Sequence, residues 1–190
     1  MKKLLIFDYD NTLAPPASET PLKIQKEIIR LLKNDFVGII TGGRSFEQLI
    51  ELFVDKLALS NRTILKNLYL CPSYGNKIYE WDNGFRMIYR AKDISEKDRE
   101  LICKTLKRLH WKDYGIAHMN SNQIQDKGTF VSIECLGKDV PAKKKESWDP
   151  EKTKRQSLKE DLDEIFKGKF DVYVTGRNTI DIIPTTHTKE

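Results

Sequence analysis

The chain has few of the residues that build covalent or metal-linked scaffolds. Its 190 residues include only three cysteines, Cys71, Cys103 and Cys135, which are far apart and form no Cys-x-x-Cys pair. This number and spacing indicate neither a disulfide framework nor a zinc site. The three histidines, at positions 110, 118 and 187, show no metal-ligand spacing either.

Long hydrophobic runs are also lacking. No stretch approaches the roughly 20 apolar residues that a membrane-spanning helix needs. Met1-Lys2-Lys3 leads directly into the first apolar run, and this beginning is too short for a signal peptide. We therefore expect a cytoplasmic protein with reduced thiols and no membrane partner.

No charge of one sign dominates the sequence. There are 33 Lys and Arg against 28 Asp and Glu, which gives a net charge of +5, and 39% of the residues are hydrophobic. That is enough for one or two small domains. The pI of about 9.0 by itself fits a nucleic-acid binder. The basic residues are interleaved with acids, however, and no aromatic-basic motif supports that class, so we expect no nucleic-acid partner.

Two carboxylates stand at the end of the first apolar run. Asp8 and Asp10 follow Leu4-Leu5-Ile6-Phe7, where a strand must give way to a loop. A buried strand seldom carries two aspartates without a task at its end, and open α/β sheets perform their chemistry at the carboxyl ends of strands. Asp8 is placed to attack as a nucleophile and Asp10 to transfer a proton, and both suit Mg²⁺. The structural alternative is an ordinary Asp/Asn turn.

Strand and helix patterns alternate over the first part of the chain. Buried strands are expected at 4–8 and 37–40, with a helix from Thr20-Pro21 to Leu32 between them. Ser45 and Gln48 have the spacing of a capping box for a second helix. Further strands are expected at 68–71 and 77–81. This alternation is typical of a parallel, doubly wound sheet.

The pattern changes from about Met87. Helices are expected from Ser95 to Leu109 and from Glu151 to Phe166, and strands at 129–135, 170–174 and 179–183. Two helices on one face of a mostly antiparallel sheet make a compact α+β module. We interpret it as an insertion into the first domain.

Several motifs together resemble one family. Asp8-Tyr9-Asp10-Asn11-Thr12-Leu13 resembles the first motif, Asp-x-Asp-x-Thr-Leu, of the haloacid dehalogenase (HAD) superfamily of phosphatases and phosphomutases. Residues 36–44 look like the second motif, a strand that ends in Thr or Ser, and Lys189 looks like the third-motif lysine. The segment between them resembles the α/β cap of subfamily IIB, in particular of eukaryotic-type phosphomannomutases and their bacterial relatives.

The resemblance implies an α/β fold with two parts. A HAD-like (Rossmann-type), doubly wound parallel core would cover 1–86 and continue at 185–190, and an inserted α+β cap domain over 87–184 would select the substrate. The family's fourth motif, Gly-Asp-x-x-Asn-Asp or a relative, has no counterpart in 1–190. We therefore expect a chain truncated before that motif, with weak Mg²⁺ binding and little activity.

The resemblance also implies roles for individual residues. Asp8 would form an aspartyl phosphate and Asp10 would act as general acid and base, and both would contribute to a Mg²⁺ site. Thr41, Gly42, Gly43 and Lys189 would bind the transferring phosphate. The substrate would contact Lys138, Arg155, Thr179 and Asp181 of the cap. Lys138 stands where the family has an arginine, so it would keep the charge but not the bidentate fork.

Three functions follow from these observations. The leading hypothesis is a Mg²⁺-dependent phosphotransferase acting on a small-molecule sugar phosphate, either a phosphomannomutase-like mutase or a sugar phosphatase, and the resemblance allows a homodimer formed through the cap. The first alternative is a catalytically impaired fragment or sugar-phosphate-binding module. The second is a nucleic-acid binder, which rests on the pI alone.

Overall fold

A computed structural model describes residues 1–15, 18–57, 62–137 and 139–187. The described chain divides into two compact units. The N-terminal unit covers Met1–Ala91, and the C-terminal unit begins at Lys92. None of the described helices is both long and apolar enough to cross a bilayer.

The N-terminal unit is built on one five-stranded sheet. Its elements are β1 (Leu4–Asp8), α1 (Leu22–Asn34), β2 (Phe36–Ile40), α2 (Phe46–Leu52), β3 (Leu68–Cys71), β4 (Lys77–Trp81) and β5 (Phe85–Arg90). The strand order is β1-β2-β3-β4-β5. The first three strands are parallel, and β4 and β5 are antiparallel additions. This arrangement confirms the α/β class that the alternating pattern predicts and the Rossmann-type core that the resemblance implies.

The apolar periodicity of the helices explains how they pack on this sheet. Ile28 and Leu32, four residues apart on α1, are fully or almost fully buried, as is Leu49 on α2. They share a hydrophobic core with the inward-facing residues of β2 and β3, such as Val37 and Leu70. The core therefore holds the strand ends of β1, β2 and β3 in fixed register.

Of the two helix caps expected from the sequence, one is present in the structure and the other is not. Ser45 caps α2 in a complete capping box with Gln48, as the spacing predicted. Thr20, however, is not the N-cap of α1. Pro21 occupies that position without a side-chain cap, and the Thr20 hydroxyl instead contacts the Tyr9 hydroxyl at 3.1 Å.

The C-terminal unit packs helices against an antiparallel sheet. Its elements are α3 (Glu96–Arg108), β6 (Ile124–Asp126), β7 (Val131–Glu134), α4 (Ala142–Trp148), α5 (Thr153–Phe166), β8 (Phe170–Thr175) and β9 (Thr179–Pro184). The strand order is β6-β7-β9-β8. Buried residues of α3, α5 and the strands form a separate hydrophobic core, in which Ile102, Leu162 and Ile180 are fully buried.

Two strands and one α-helix of the described chain were not predicted from the sequence. They are β5, the three-residue β6 and the Lys-rich α4. Asn83, at a φ of 57°, turns the chain from β4 into β5, so that β5 pairs with β4 and the N-terminal unit extends to Ala91. The sequence reading placed the end of the first domain at residue 86. The assignment of the two units as catalytic core and cap stays a prediction.

Candidate active site

The two aspartates lie where β1 ends and a tight turn begins. Asp8 is the last residue of β1 and is paired in register with Ile40, the last residue of β2. The Tyr9 carbonyl then accepts backbone N–H groups from Leu13 at 3.0 Å and Ala14 at 3.2 Å, which closes the turn. Within this turn, Asp10 forms an isolated parallel bridge with Ala14. Both carboxylates are partly exposed, as reacting groups must be.

The Asp10 carboxylate is held by two residues that follow β2. The Thr41 hydroxyl donates to Oδ2 of Asp10 at 3.1 Å. Arg44 donates through Nη2 to Oδ1 at 2.7 Å and through Nε to both carboxylate oxygens at 3.2 Å. The structure therefore brings together Asp10 and Thr41, two residues that the sequence singled out separately. The structure also places Arg44 at this site. Arg44 is not among the residues predicted from the sequence, although a cation directly after Thr-Gly-Gly could have indicated a partner for the carboxylates.

The ring of Tyr9 lies against the guanidinium of Arg44. The Tyr9 side chain is fully buried, and the guanidinium carbon of Arg44 lies 4.8 Å from the centroid of its ring. The phenol oxygen lies within hydrogen-bond distance of the carbonyls of Ser18 and Leu52 and of the Thr20 hydroxyl. Burial raises the pKa of the Tyr9 phenol, so it stays neutral. It is thus a fixed aromatic surface for the cation of Arg44.

The Thr-Gly-Gly segment is shaped by a tyrosine from the loop after β3. The backbone N–H of Tyr74 donates to the Thr41 carbonyl at 2.8 Å, and the Tyr74 ring lies against Gly42. A Cβ on Gly42 would come within 2.7 Å of that ring, so any other residue would have to displace the Tyr74 side chain. Ser73 and Tyr74 both have positive φ, at 55° and 62°, an uncommon conformation for such side chains. The sequence reading missed Tyr74, because nothing local marks it.

Within the C-terminal unit, two of the expected substrate contacts share one face of the sheet. Ser132 pairs with Asp181, and Glu134 pairs with Thr179, so their side chains emerge on the same side of neighbouring strands. Asp181 is buried and accepts hydrogen bonds from Ser132 Oγ at 2.5 Å and Thr175 Oγ1 at 2.9 Å. Thr179 is partly exposed. This face is polar and already organised by hydroxyl–carboxylate bonds.

Arg155 lies at the start of α5 and is engaged inside the unit. Its side chain is 2% exposed, and its Nε donates to Asp149 Oδ2 at 2.9 Å. Nη1 donates to the carbonyls of Thr175 and Gly176, at the turn between β8 and β9. Burial by itself would raise the pKa of Asp149, but the hydrogen bond from Arg155 and two backbone N–H groups outweigh it, so the pKa is lowered. As placed, Arg155 stabilises the fold of this unit, and a substrate phosphate would have to displace Asp149 to reach it.

Two expected contacts, Lys138 and Lys189, lie outside the described residues, so their assignments remain predictions. Over the described residues, no cluster of three or more His, Cys, Asp or Glu side chains has the arrangement of a metal site. Asp8 and the backbone carbonyl of Asp10 still offer hard oxygen donors at one strand end. That set fits Mg²⁺, which commonly binds through one or two carboxylates together with water and substrate phosphate.

An α/β sheet thus carries two aspartates at the end of β1 and a Thr-Gly-Gly turn after β2. Comparison with known families identifies the class of protein to which this arrangement belongs. The model of one family, haloacid dehalogenase-like hydrolase, matches residues 5–190. The chain therefore belongs to the haloacid dehalogenase-like hydrolases.

Solved structures show the same fold at low sequence identity. The chain is similar to a C-terminally truncated IMP-nucleotidase from Plasmodium falciparum, with a TM-score of 0.63, 15% identity, and coverage of 99% of this chain and 56% of that one. It is also similar to a haloacid dehalogenase-like hydrolase from Bacteroides thetaiotaomicron, with a TM-score of 0.61, 14% identity, and coverage of 100% and 73%. The chain spans little more than half the length of that nucleotidase structure. A comparison with curated protein sequences found no match.

Proposed function

We propose that the chain transfers phosphoryl groups from a small phosphate ester through an aspartyl phosphate on Asp8. The observation that carries this proposal is the position of two aspartates at the end of β1, one of which is oriented by a hydroxyl and an arginine. Asp8 ends the strand, and Asp10, two residues further along the chain, is held by Thr41 and Arg44. A carboxylate nucleophile next to an oriented proton-transfer group is what such a reaction requires.

The reaction has two steps. In the first, an Asp8 carboxylate oxygen bonds to phosphorus while the bond from phosphorus to the ester oxygen breaks, and Asp10 supplies the proton that the departing oxygen needs. In the second, Asp10 takes a proton from water or from a sugar hydroxyl as that oxygen attacks phosphorus, and the Asp8 carboxylate is released. Water as acceptor gives a phosphatase, and a sugar hydroxyl gives a mutase.

Charge on the transferring group has to be neutralised by the site. Backbone N–H groups of Gly42 and Gly43 can approach a phosphate oxygen, since neither residue carries a side chain. We propose that Asp8 and the carbonyl of Asp10 hold Mg²⁺, which supplies a counter-charge for the phosphate when bound. Lys189 is proposed as a second positive charge.

The substrate is proposed to be a sugar phosphate, with phosphomannomutase-like chemistry as the specific hypothesis. Support comes from the resemblance of residues 87–184 to a phosphomannomutase cap and from the polar sheet face that carries Thr179 and Asp181. Lys138 and Arg155 complete the proposed contacts. The similar Plasmodium structure is an IMP-nucleotidase, so nucleoside monophosphates belong among the compounds tested.

The test is Mg²⁺-dependent phosphate release by the 190-residue chain from hexose 1- and 6-phosphates, nucleoside monophosphates and p-nitrophenyl phosphate. Asp8→Asn should reduce turnover to background, because an amide cannot replace the carboxylate nucleophile. Asp55→Asn is the matched control, because Asp55 is an exposed aspartate of the same unit, and it should retain full turnover.

Two outcomes would contradict the proposal. Turnover that survives in Asp8→Asn would show that Asp8 is not the nucleophile. Saturable binding of a sugar phosphate by calorimetry, with no turnover of any ester, would instead favour the binding-module alternative.

A further inference from the structure

We propose that the N-terminal unit has a second small-molecule site, which binds a free nucleotide with its base on Trp81 and its phosphate on Arg62 and Lys66. The site is a cavity of about 390 Å³, in the lower part of the range of roughly 300–1,000 Å³ that is common for small-molecule sites. The residues that line this cavity are Arg62, Thr63, Lys66, Trp81, Asp82 and Asn83. The proposal is independent of the proposed function.

One wall of the cavity is a short 3-10 helix, Arg62–Asn67, which is anchored to the core of the unit. Leu65 of this helix is fully buried, and the Asn67 side chain donates to the Leu32 carbonyl at 2.7 Å. The helix also contacts β4, which carries Trp81. These contacts fix the backbone on which the two cations of the cavity are mounted.

The indole of Trp81 belongs to an aromatic cluster. The ring of Phe85 lies edge-on to it, with centroids 5.2 Å apart and planes at 80°. Phe85 in turn contacts Phe46, which stacks on Tyr79 at 4.1 Å. These neighbours restrain the orientation of the indole. A restrained indole beside a cavity is a stacking surface for a planar ring.

Two cations lie next to this ring. Arg62 and Lys66 are exposed, and neither forms an ion pair with another of the described residues. Their side chains have only hydrogen-bond donors, and a guanidinium matches two phosphate oxygens at once. Asp82, which pairs with Arg86 at 3.5 Å, offers an acceptor for hydroxyl or amino groups. The cavity therefore suits a ligand that combines a phosphate, hydroxyl groups and a planar ring, as a nucleotide does.

The cavity lies at the edge of the sheet opposite to the candidate active site. Because β4 is antiparallel to β3, their register places Trp81 level with Leu68, at the amino end of β3. Asp8 lies level with Cys71, at the carboxyl end of the same strands. The two sites are separated by about 10 Å along the strands and about 14 Å across them. A nucleotide in this cavity is therefore out of reach of the Asp8 carboxylate.

The first test follows the indole N–H signals of the ¹⁵N-labelled 190-residue chain while adenosine 5′-monophosphate is added in EDTA. The chain has three tryptophans, and the Trp81 signal is the one that Trp81→Phe lacks. We expect this signal to move saturably, and the signals of Trp111 and Trp148 to stay in place. A Trp81 signal that does not move at millimolar nucleotide would overturn the proposal.

The second test asks whether the two cations bind the phosphate. Arg62→Gln and Lys66→Gln should each weaken binding of adenosine 5′-monophosphate by about tenfold in isothermal titration. The matched controls are Arg30→Gln and Lys26→Gln, which change exposed cations of α1 in the same unit and should leave the affinity unchanged. Equal losses in all four variants would reduce the binding to general charge attraction and overturn the proposal.

The third test separates the base from the phosphate. Adenosine 5′-monophosphate should bind about tenfold more tightly than ribose 5-phosphate, and Trp81→Leu should remove that difference. Equal affinities of the two compounds for the wild-type chain would show that no base stacks on Trp81. An oligoadenylate that binds this cavity far more tightly than the mononucleotide would overturn the assignment to a free nucleotide.

A last comparison distinguishes this site from the proposed active site. Asp8→Asn should bind adenosine 5′-monophosphate with the affinity of the wild type and with the same movement of the Trp81 signal. Loss of that binding in Asp8→Asn would place the nucleotide at the end of β1 and overturn the proposal. Since no turnover is measured, failure of the proposed function would leave these results unchanged.

Discussion

At the residue scale, the candidate site depends on contacts that a single atom would disturb. Gly42 shows this most directly. The ring of Tyr74 occupies the space where a Cβ of Gly42 would lie. A Cβ on Gly43, the next residue, would have no atom within 4 Å. Two adjacent glycines in one turn thus have different roles, one of close packing and one of open approach.

Gly42→Ala should therefore displace Tyr74 and lower the affinity for inorganic phosphate, because the new Cβ would meet the ring at 2.7 Å. Gly43→Ala should change thermal stability little, because a Cβ on Gly43 meets no atom of the protein within 4 Å. Isothermal titration with phosphate and thermal unfolding of both variants would check this. Equal losses of thermal stability in the two variants would show that the packing of Tyr74 on Gly42 does not stabilise this segment.

At the element scale, α5 is tied to the strands of its own sheet through its first turn. Arg155 connects Asp149, before the helix, with the carbonyls at the β8–β9 turn. The pair is almost completely buried, with 2% and 1% of the two side chains exposed. Removing one partner of a buried ion pair leaves the other charge without compensation.

Arg155→Ala should accordingly lower the free energy of unfolding of the C-terminal unit by about 3–5 kcal/mol. Its neighbour Lys154→Ala should cost much less, because Lys154 is less buried. Urea unfolding followed by circular dichroism measures the difference. If Arg155→Ala folds normally and loses only sugar-phosphate binding, Arg155 is a substrate contact, as the family resemblance implies.

A second contact of α5 makes stability depend on pH. The Tyr114 hydroxyl donates to Asp161 Oδ2 at 2.5 Å. Burial, with help from that hydrogen bond, raises the pKa of Tyr114 from its ordinary value of 10.0 to about 12. The contribution of the neutral phenol is therefore complete below pH 10 and is lost as the pH rises towards 12.

The free energy of unfolding of the wild type should fall as the pH rises from 10 to 12. In Tyr114→Phe the fall should be smaller, because the phenol that ionises is absent. Tyr89→Phe is the control, because Tyr89 is 50% exposed. Denaturant titrations at pH 9 to 12 would give the free energy of unfolding of the wild type and of both variants as a function of pH. Identical slopes in all three proteins would contradict the assignment.

At the scale of the whole molecule, the described residues form two hydrophobic cores that share no residue. One is formed by residues from Tyr9 to Leu70, and the other by residues from Ile94 to Ile182. The boundary between the compact units falls at Ala91. Each core contains helices and strands of its own unit only.

We therefore expect two separable unfolding transitions. Leu70→Ala should lower the free energy of unfolding of the N-terminal unit only, and Leu162→Ala that of the C-terminal unit only, each by about 2–5 kcal/mol. Trp81 lies in the N-terminal unit, and Trp111 and Trp148 lie in the C-terminal unit. Tryptophan fluorescence of a Trp81→Phe variant therefore reports on unfolding of the C-terminal unit alone. A single transition that both alanine variants shift equally would show that the units unfold together.

The sequence by itself determined the local elements and the family. Periodicity of apolar residues placed β1, α1, β2, α3, α5, β8 and β9 within a few residues, because burial of one face leaves its period in the chain. The spacing of Asp8, Asp10 and Thr41 pointed to one sheet edge, since parallel strands end together. The hairpin strand β5 was missed, because its pairing with β4 gives it little local signature.

Tertiary structure alone decided what those residues touch. Arg44 pairs with Asp10 across 34 positions of sequence, and Tyr74 closes over Gly42 from a different loop. Arg155 is buried by Asp149 and the β8–β9 turn, where the sequence suggested a substrate contact. Such contacts depend on distances set by the packing of whole elements, and no local pattern in the chain encodes those distances.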